Sequence, residues 1–248
     1  MKGPGRRTGG DRPDTETTGR RTVLRACVLA CAGVLLAGGF APTATGQGAA
    51  NAADAEAARE RALGPIDAGR PPAPVRVSLD EAVRRLSSGG WAVLMRHATT
   101  EPGTGDPPGF RLGDCATQRN LSKAGRDEAA AAGQALRNRG LRFDEVRSSA
   151  WCRCVDTARA GFGEPRVWAP LNSFFEDRQA EAGQSDAVRA EIQRLQPPRK
   201  LLLVTHQVNI TALTDVFPAQ GEMVAVRWRD GALRAEFRFQ PAGEGPRR

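Results

Sequence analysis

From Ser78 onward the apolar positions follow two periods. Leu79, Ala82, Val83 and Leu86 recur at helical spacing behind the capping box Ser78-Leu79-Asp80-Glu81, so a helix starts there and stops at Gly89-Gly90. Residues 91–95 (WAVLM) form a continuous apolar run of strand length, the pattern of a strand buried on both faces. Residues 201–204 (LLLV) repeat that pattern, and a shorter strand centres on Val146. Helical spacing covers residues 122 to about 139, 154–160, 186–195 and 210–217, with Gly140 ending the first of these. Val167-Trp168 reads as a further strand, and residues 98–118, rich in Gly, Pro and Asp, read as a loop. Residues 223–229 and 232–239 read as antiparallel strands joined across Arg229-Asp230-Gly231. Strands alternating with helices predict an α/β fold, with a mostly parallel sheet and antiparallel pairing at the C-terminal end.

The first 75 residues carry no such alternation. Residues 17–46 place a basic region before an apolar run, with small residues after it, which is the layout of an export signal. Arg20-Arg21 followed by Thr22-Val23-Leu24-Arg25 is similar to a twin-arginine signal. The uninterrupted apolar run, 26–40, is short for a membrane span of about 20 residues, so a cleaved signal is expected rather than an anchor. Contact with a membrane is expected only through this segment, where it stays uncleaved. The expected organisation is a signal over 1–46, an Ala/Gly/Pro-rich linker over 47–75 and one folded domain over 76–248. Export to the periplasm, the cell envelope or the medium follows.

Export changes the meaning of the cysteines. Cys27 and Cys31 leave with the signal, and Cys115, Cys152 and Cys154 remain in an oxidising compartment. Three thiols allow one bridge and one free group, and a bridge from Cys115 to either of the other two would pin the segment around Arg153. The C-x-C spacing with two distant histidines lacks a zinc pattern, so no metal or other cofactor is expected.

The formal net charge of +8 includes seven Lys/Arg and three acids within residues 1–46, so the remainder is about +4. That excess is modest, aromatic residues make up 5% and tyrosine is absent, which argues against a nucleic-acid surface. A mildly positive protein suits a small anionic substrate.

Polar residues follow three of the predicted strands: Arg96-His97, Ser148-Ser149 and Thr205-His206. In α/β sheets the ligand crevice lies off the carboxyl ends of the strands, so these segments converge on one edge. Phosphoryl transfer to an imidazole needs that combination. The nucleophile is a neutral ring nitrogen whose other nitrogen is held. The transferred group needs fixed cationic donors, which arginine supplies in a planar fork, and the leaving oxygen needs a proton from a nearby acid.

Met95-Arg96-His97-Ala98, Leu121-Ser122-Lys123-Ala124-Gly125, the run Ser148-Ser149-Ala150-Trp151-Cys152-Arg153-Cys154-Val155-Asp156-Thr157-Ala158, and a late strand ending in His206 occur in that order. This set resembles the histidine phosphatase superfamily, which includes phosphoglycerate mutases and acid phosphatases. The resemblance runs from about Trp91 to Leu213, and the one departure is Ala98, where the family usually has glycine. It implies a three-layer α/β/α fold of the phosphoglycerate mutase kind and a metal-independent phosphomonoesterase of an exported branch. It also implies His97 as nucleophile, with Arg96, Arg153 and His206 around the phosphate. For the proton donor it points to Glu176, with Asp177 second and Asp114 or Glu101 as alternatives in the loop after His97. Gln118, Arg119 and Asn209 are further candidates for phosphate or substrate contacts. The rival readings are a mutase, a phosphohistidine or phosphoprotein phosphatase, and a non-catalytic phosphate-binding protein on the same fold. Physiological substrate and oligomeric state have no legible signal.

Overall fold

The computed structural model describes residues 72–243. The signal and all but the last residues of the linker therefore lie outside the described residues. Seven strands form one sheet: β1 (Val75–Arg76), β2 (Trp91–Arg96), β3 (Glu145–Ser148), β4 (Arg166–Val167), β5 (Lys200–Thr205), β6 (Met223–Arg229) and β7 (Ala232–Phe239). Among the described residues five α-helices accompany them: α1 (Leu79–Leu86), α2 (Lys123–Arg137), α3 (Cys152–Phe162), α4 (Glu181–Gln193) and α5 (Gln207–Thr214).

The strand order is β1-β7-β6-β2-β5-β3-β4. Pairing is parallel from β2 through β5 and β3 to β4, and antiparallel from β2 to β6 and from β6 to β7. The sheet is therefore mixed, with its parallel half on the side that carries the three polar strand ends. β1 closes the other side by pairing parallel with β7, Val75 opposite Phe237. This strand begins inside the stretch expected to be linker. Its two residues are exposed, so no burial pattern marks them; backbone pairing and the ion pair from Arg76 to buried Glu222 (2.9 Å) hold them.

Alternation along the central strands divides the core in two. Trp91, Val93 and Met95 of β2 pack with Ala82 and Leu86 of α1, Leu136 of α2, and Cys154 and Ala158 of α3. Ala92 and Leu94 pack the other way, with Val188 and Ile192 of α4 and Ile210 and Leu213 of α5. The continuous apolar runs of β2 and β5 are thus strands with core on both sides, which leaves their ends as the place for polar chemistry.

Two of the motifs have packing reasons. A Cβ at Gly125 would overlap the Thr99 carbonyl oxygen, so glycine lets the start of α2 lie against the chain that follows His97. Ser122 caps that helix through the Gly125 N–H (3.0 Å), and its own N–H donates to Thr99 O (3.0 Å). Thr157 ties the same segment to α3: its hydroxyl accepts from the Ala98 N–H at 3.0 Å and donates to Arg153 O at 2.7 Å. Ala98 is fully buried and is not among the described residues with positive φ, which apart from glycine are Asp215 and Asp230. The methyl group is accommodated without backbone strain.

Candidate active site

The ends of β2, β3 and β5 are locked side by side. The His97 N–H donates to Thr205 O and the Ser149 N–H to Val204 O, both at 3.0 Å. Arg96, His97, Trp151, Arg153 and His206 consequently face one cavity of about 700 Å³, far roomier than a phosphate group requires. α3 begins at Cys152 and α5 at Gln207, so two helix N-termini start at its wall.

His97 is 3% exposed, and its Nδ1 lies 2.9 Å from its neighbour's carbonyl, Ala98 O. A carbonyl only accepts, so Nδ1 carries the hydrogen and Nε2 keeps its lone pair. Burial, reinforced by the charges of Arg153, Arg96 and Arg119, pushes the His97 pKa down to about 3, so the ring is neutral in ordinary conditions. His206 is buried as well, its ring centroid 5.6 Å from that of His97. Burial and then the charge of Arg153 hold its pKa well below the usual value. Its Nε2 is 2.8 Å from Ser149 Oγ, and its Nδ1 is 3.5 Å from Arg153 Nη2, a group that only donates. The matching tautomer has hydrogen on Nε2.

Three guanidiniums line this inner end. Arg96 donates from Nη1 to Pro218 O (2.9 Å), and its buried Nε has no hydrogen-bond partner. Arg119 is held by Thr100 Oγ1 (2.7 Å) and by the carbonyls of Gly105 (2.8 Å) and Gly103 (2.9 Å). Arg153 is 5% exposed, and its Nε too is buried without a partner. Burial, together with repulsion from the other guanidiniums, lowers the pKa of both Arg96 and Arg119. Two buried Nε–H groups left unpaired are costly unless an anion completes them.

One carboxylate enters this end, and it is none of the four expected from the sequence. Asp106, from the Gly/Pro-rich loop, accepts from Arg153 Nη1 at 2.7 Å and 3.0 Å, from the Arg119 N–H at 2.9 Å and from Trp151 Nε1 at 3.0 Å. Burial raises its pKa, but the bonds from Arg153 and Arg119 outweigh this and hold it below the carboxylate range. An acid flanked by glycine and two prolines reads as turn chemistry, so no local pattern singles it out.

The other candidates separate. Glu176 and Asp177 both line the outer part of the cavity, beside Ser173 and Phe175, and both are exposed. Asp177 also accepts from the Gln179 N–H (3.2 Å) as the cap of a short 3-10 turn, which leaves Glu176 the freer of the two. Asp114 is not among the cavity-lining residues and instead pairs with Arg111 at 2.5 Å, and Glu101 is exposed and also outside the lining. Neither is placed to protonate a leaving group. Of the further contacts, only Arg119 reaches the cavity. Gln118 bridges Arg111 O (2.9 Å) and the Cys152 N–H (3.0 Å), and Asn209 donates to Asn172 O (2.8 Å), so both act as braces.

Cys115 is bonded to Cys152, which staples the loop to the first turn of α3. Cys154 is the free thiol among the described residues, and burial pushes its pKa up to about 12. Among the described residues no three His, Cys, Asp or Glu side chains group in a way that could hold a metal ion, and no helix is long and apolar enough to cross a membrane.

A strand-end Arg-His pair, a staple to a mid-chain arginine helix and a glycine pressed on the loop between them all lie within one segment. Residues 92–172 match the histidine phosphatase superfamily, branch 1. The match contains His97 and Arg153 and ends before His206, which the geometry adds. No curated protein matches the chain. Among solved structures, the protein histidine phosphatase SixA complexed with tungstate is similar at 16% identity, over 61% of this chain and 97% of that one, with a TM-score of 0.44. The alpha-ribazole phosphatase from Shigella flexneri is similar at 17% identity, over 64% of this chain and 100% of that one, with a TM-score of 0.44.

Proposed function

We propose that the domain is a phosphomonoesterase of the histidine phosphatase superfamily, working through a phosphohistidine on His97. The observation that carries this is a buried His97, its Nδ1 held by Ala98 O, in one cavity with two guanidiniums whose buried Nε atoms lack partners. The phosphoryl oxygens would sit against Arg96, Arg153 and His206, with Arg119 adding charge. His97 Nε2 attacks phosphorus, the bond to the leaving oxygen breaks, and Glu176 gives that oxygen its proton. Water then attacks the phosphohistidine, returns the ring to its neutral state and releases inorganic phosphate, its proton passing to Glu176. The charge of the three guanidiniums takes the part a metal plays elsewhere, so the reading is metal-independent.

The finer fold reading that goes with this is a three-layer α/β/α domain of the phosphoglycerate mutase kind. Helices on both core faces support it. Phe110, exposed Phe175 and Val208 line the same cavity, which supports a leaving group with an apolar body. Extracytoplasmic action is part of the proposal, supported by the basic-then-apolar N-terminal sequence and by the Cys115–Cys152 bridge. Secretion with N-terminal sequencing of the mature chain tests it.

The decisive experiment is rapid mixing with a radiolabelled aryl phosphate. Wild type should form an acid-labile, base-stable phosphoprotein. His97→Ala should form none and lose at least about three orders of magnitude in turnover. Turnover near wild type in that variant defeats the mechanism. Phosphate binding without turnover of any phosphomonoester in wild type identifies a non-catalytic binding protein instead.

A further inference from the structure

We propose that Asp106 is the residue that positions Arg153 for the phosphoryl group, an assignment that rests on the phosphate-binding reading of this site. A guanidinium offers two kinds of contact. The Nε and Nη2 hydrogens lie side by side on one edge and can grip two oxygens of a phosphate at once, whereas Nη1 points away from that edge. Asp106 takes Nη1 alone, with both oxygens, at 2.7 and 3.0 Å. The gripping edge is left unpaired: Nε is buried without a partner, and Nη2 has only the 3.5 Å approach to His206 Nδ1. The carboxylate therefore fixes the plane of the guanidinium from behind and leaves the useful side for the ligand.

Asp106 is itself fixed. Its side chain is 5% exposed, and it accepts from Trp151 Nε1 and from the Arg119 N–H as well as from Arg153. Arg119 is in turn bonded to the carbonyls of Gly103 and Gly105, so the loop wraps around its own arginine before presenting the acid. The staple from Cys115 to Cys152 holds that loop to the residue preceding Arg153. Carboxylate and guanidinium thus come from two segments that a covalent bond ties together. Held ionised by these donors, Asp106 does not serve as the proton donor; it orients a cation that does the binding.

An opposing account makes Asp106 an occupant of the anion site, displaced when phosphate arrives. The two accounts predict opposite signs. Asp106→Ala and Asp106→Asn in the full chain would be titrated with inorganic phosphate by calorimetry, alongside kcat and KM on an aryl phosphate. Positioning predicts that Asp106→Ala weakens phosphate binding by about 10-fold or more, with KM rising in step. Asp106→Asn keeps one acceptor for Nη1 and should fall between, and it carries the test if the alanine variant fails to fold. Unchanged phosphate affinity in a folded variant, even one with a lowered Tm, overturns the proposal and leaves Asp106 a loop anchor. Tightened phosphate binding overturns it in favour of the occupant account. If wild type binds phosphate but turns nothing over, the phosphatase reading fails, and the phosphate titration still decides the role of Asp106.

Discussion

The inner end of the cavity is made from strand ends and a helix start, and the outer end from loops. At the inner end His97, Arg153 and His206 are each at most 5% exposed, and the ends of β2, β3 and β5 beside them are bonded to one another. At the outer end Phe175, Glu176 and Asp177 are exposed, on a segment with only short 3-10 turns around it. Rigid elements hold groups to the fractions of an ångström that phosphoryl transfer requires, whereas loops let the leaving-group side vary without disturbing the core. On the proposed reading, phosphoryl binding is therefore set by the strand ends and the start of α3, and the leaving-group side, Glu176 included, by the segments that cross over them.

The sharpest way to break this contrast is at Arg153. Arg153→Ala should lower kcat/KM by about two to three orders of magnitude, the usual cost of removing a preorganised donor. Arg153→Lys should not restore it, because a point charge lacks the gripping edge. Full rescue by lysine in steady-state assays would mean that charge alone, and not a fixed geometry, sets the inner end.

Cutting the staple tests whether rigidity there is borrowed from the loop. Cys115→Ser with Cys152→Ser should destabilise the domain by about 3–4 kcal/mol from the loop-closure entropy of the denatured chain, read by denaturant titration. Activity should fall in the folded protein as well, since the bridge adjoins Arg153. A stability loss with unchanged kcat/KM would separate the two roles.

The two ends should also differ in their response to acid. His97 and His206 are neutral when folded, with pKa values below their ordinary value of 6.5, so the unfolded chain binds protons that the folded chain refuses. Stability is then fully present above about pH 6.5 and falls as the pH drops below it, for His97 down to about 3. Each histidine contributes a slope of about 1.4 kcal/mol per pH unit. Denaturant titrations should show a nearly flat profile above pH 7 that approaches that slope by about pH 5.5, and His206→Asn should reduce it. A profile flat throughout would mean that the rings are not buried in their neutral form.

The smallest effect is expected at the exposed acids. Glu176→Gln should slow esters with poor leaving groups by about 10- to 100-fold and leave nitrophenyl esters nearly unchanged. The same selective loss in Asp177→Asn, with Glu176→Gln silent, would move the proton donor by one residue and show that the turn at Gln179 opens during catalysis.

Legibility in the sequence followed the same division. The uniformly apolar runs of β2 and β5 and the antiparallel pair β6 and β7 were readable because burial on both sides, or on alternate sides, leaves a period. Helix starts were less so: α4 begins at Glu181 although its large apolar positions begin at Val188, and α5 begins at Gln207 with His206 at its N-cap position but no side-chain capping bond to mark it. β1 has two exposed residues and no period at all. At the site, Arg96, His97, Arg153 and His206 were visible because each follows a strand or sits in an ordered motif. Asp106 was not, since a carboxylate between glycine and proline looks the same whether it faces water or a buried arginine. The bridge between Cys115 and Cys152 depended on how the loop folds back, which spacing alone does not encode.

The sheet order has one further consequence, for how the domain behaves in a crowd. Among the described residues both margins of the sheet, β1 and β4, are two residues long, and each carries an arginine. A longer bare margin would present a row of open N–H and C=O groups on which a second chain could build a strand. Here β1 covers β7 only at Phe237 and Arg238, so residues 232–236 keep an open edge, and it is the charge of Arg234 and Glu236 along that stretch that discourages a partner strand. Among the described residues the margins of the sheet are thus blunted by charge as well as by short length, which limits strand-to-strand self-assembly.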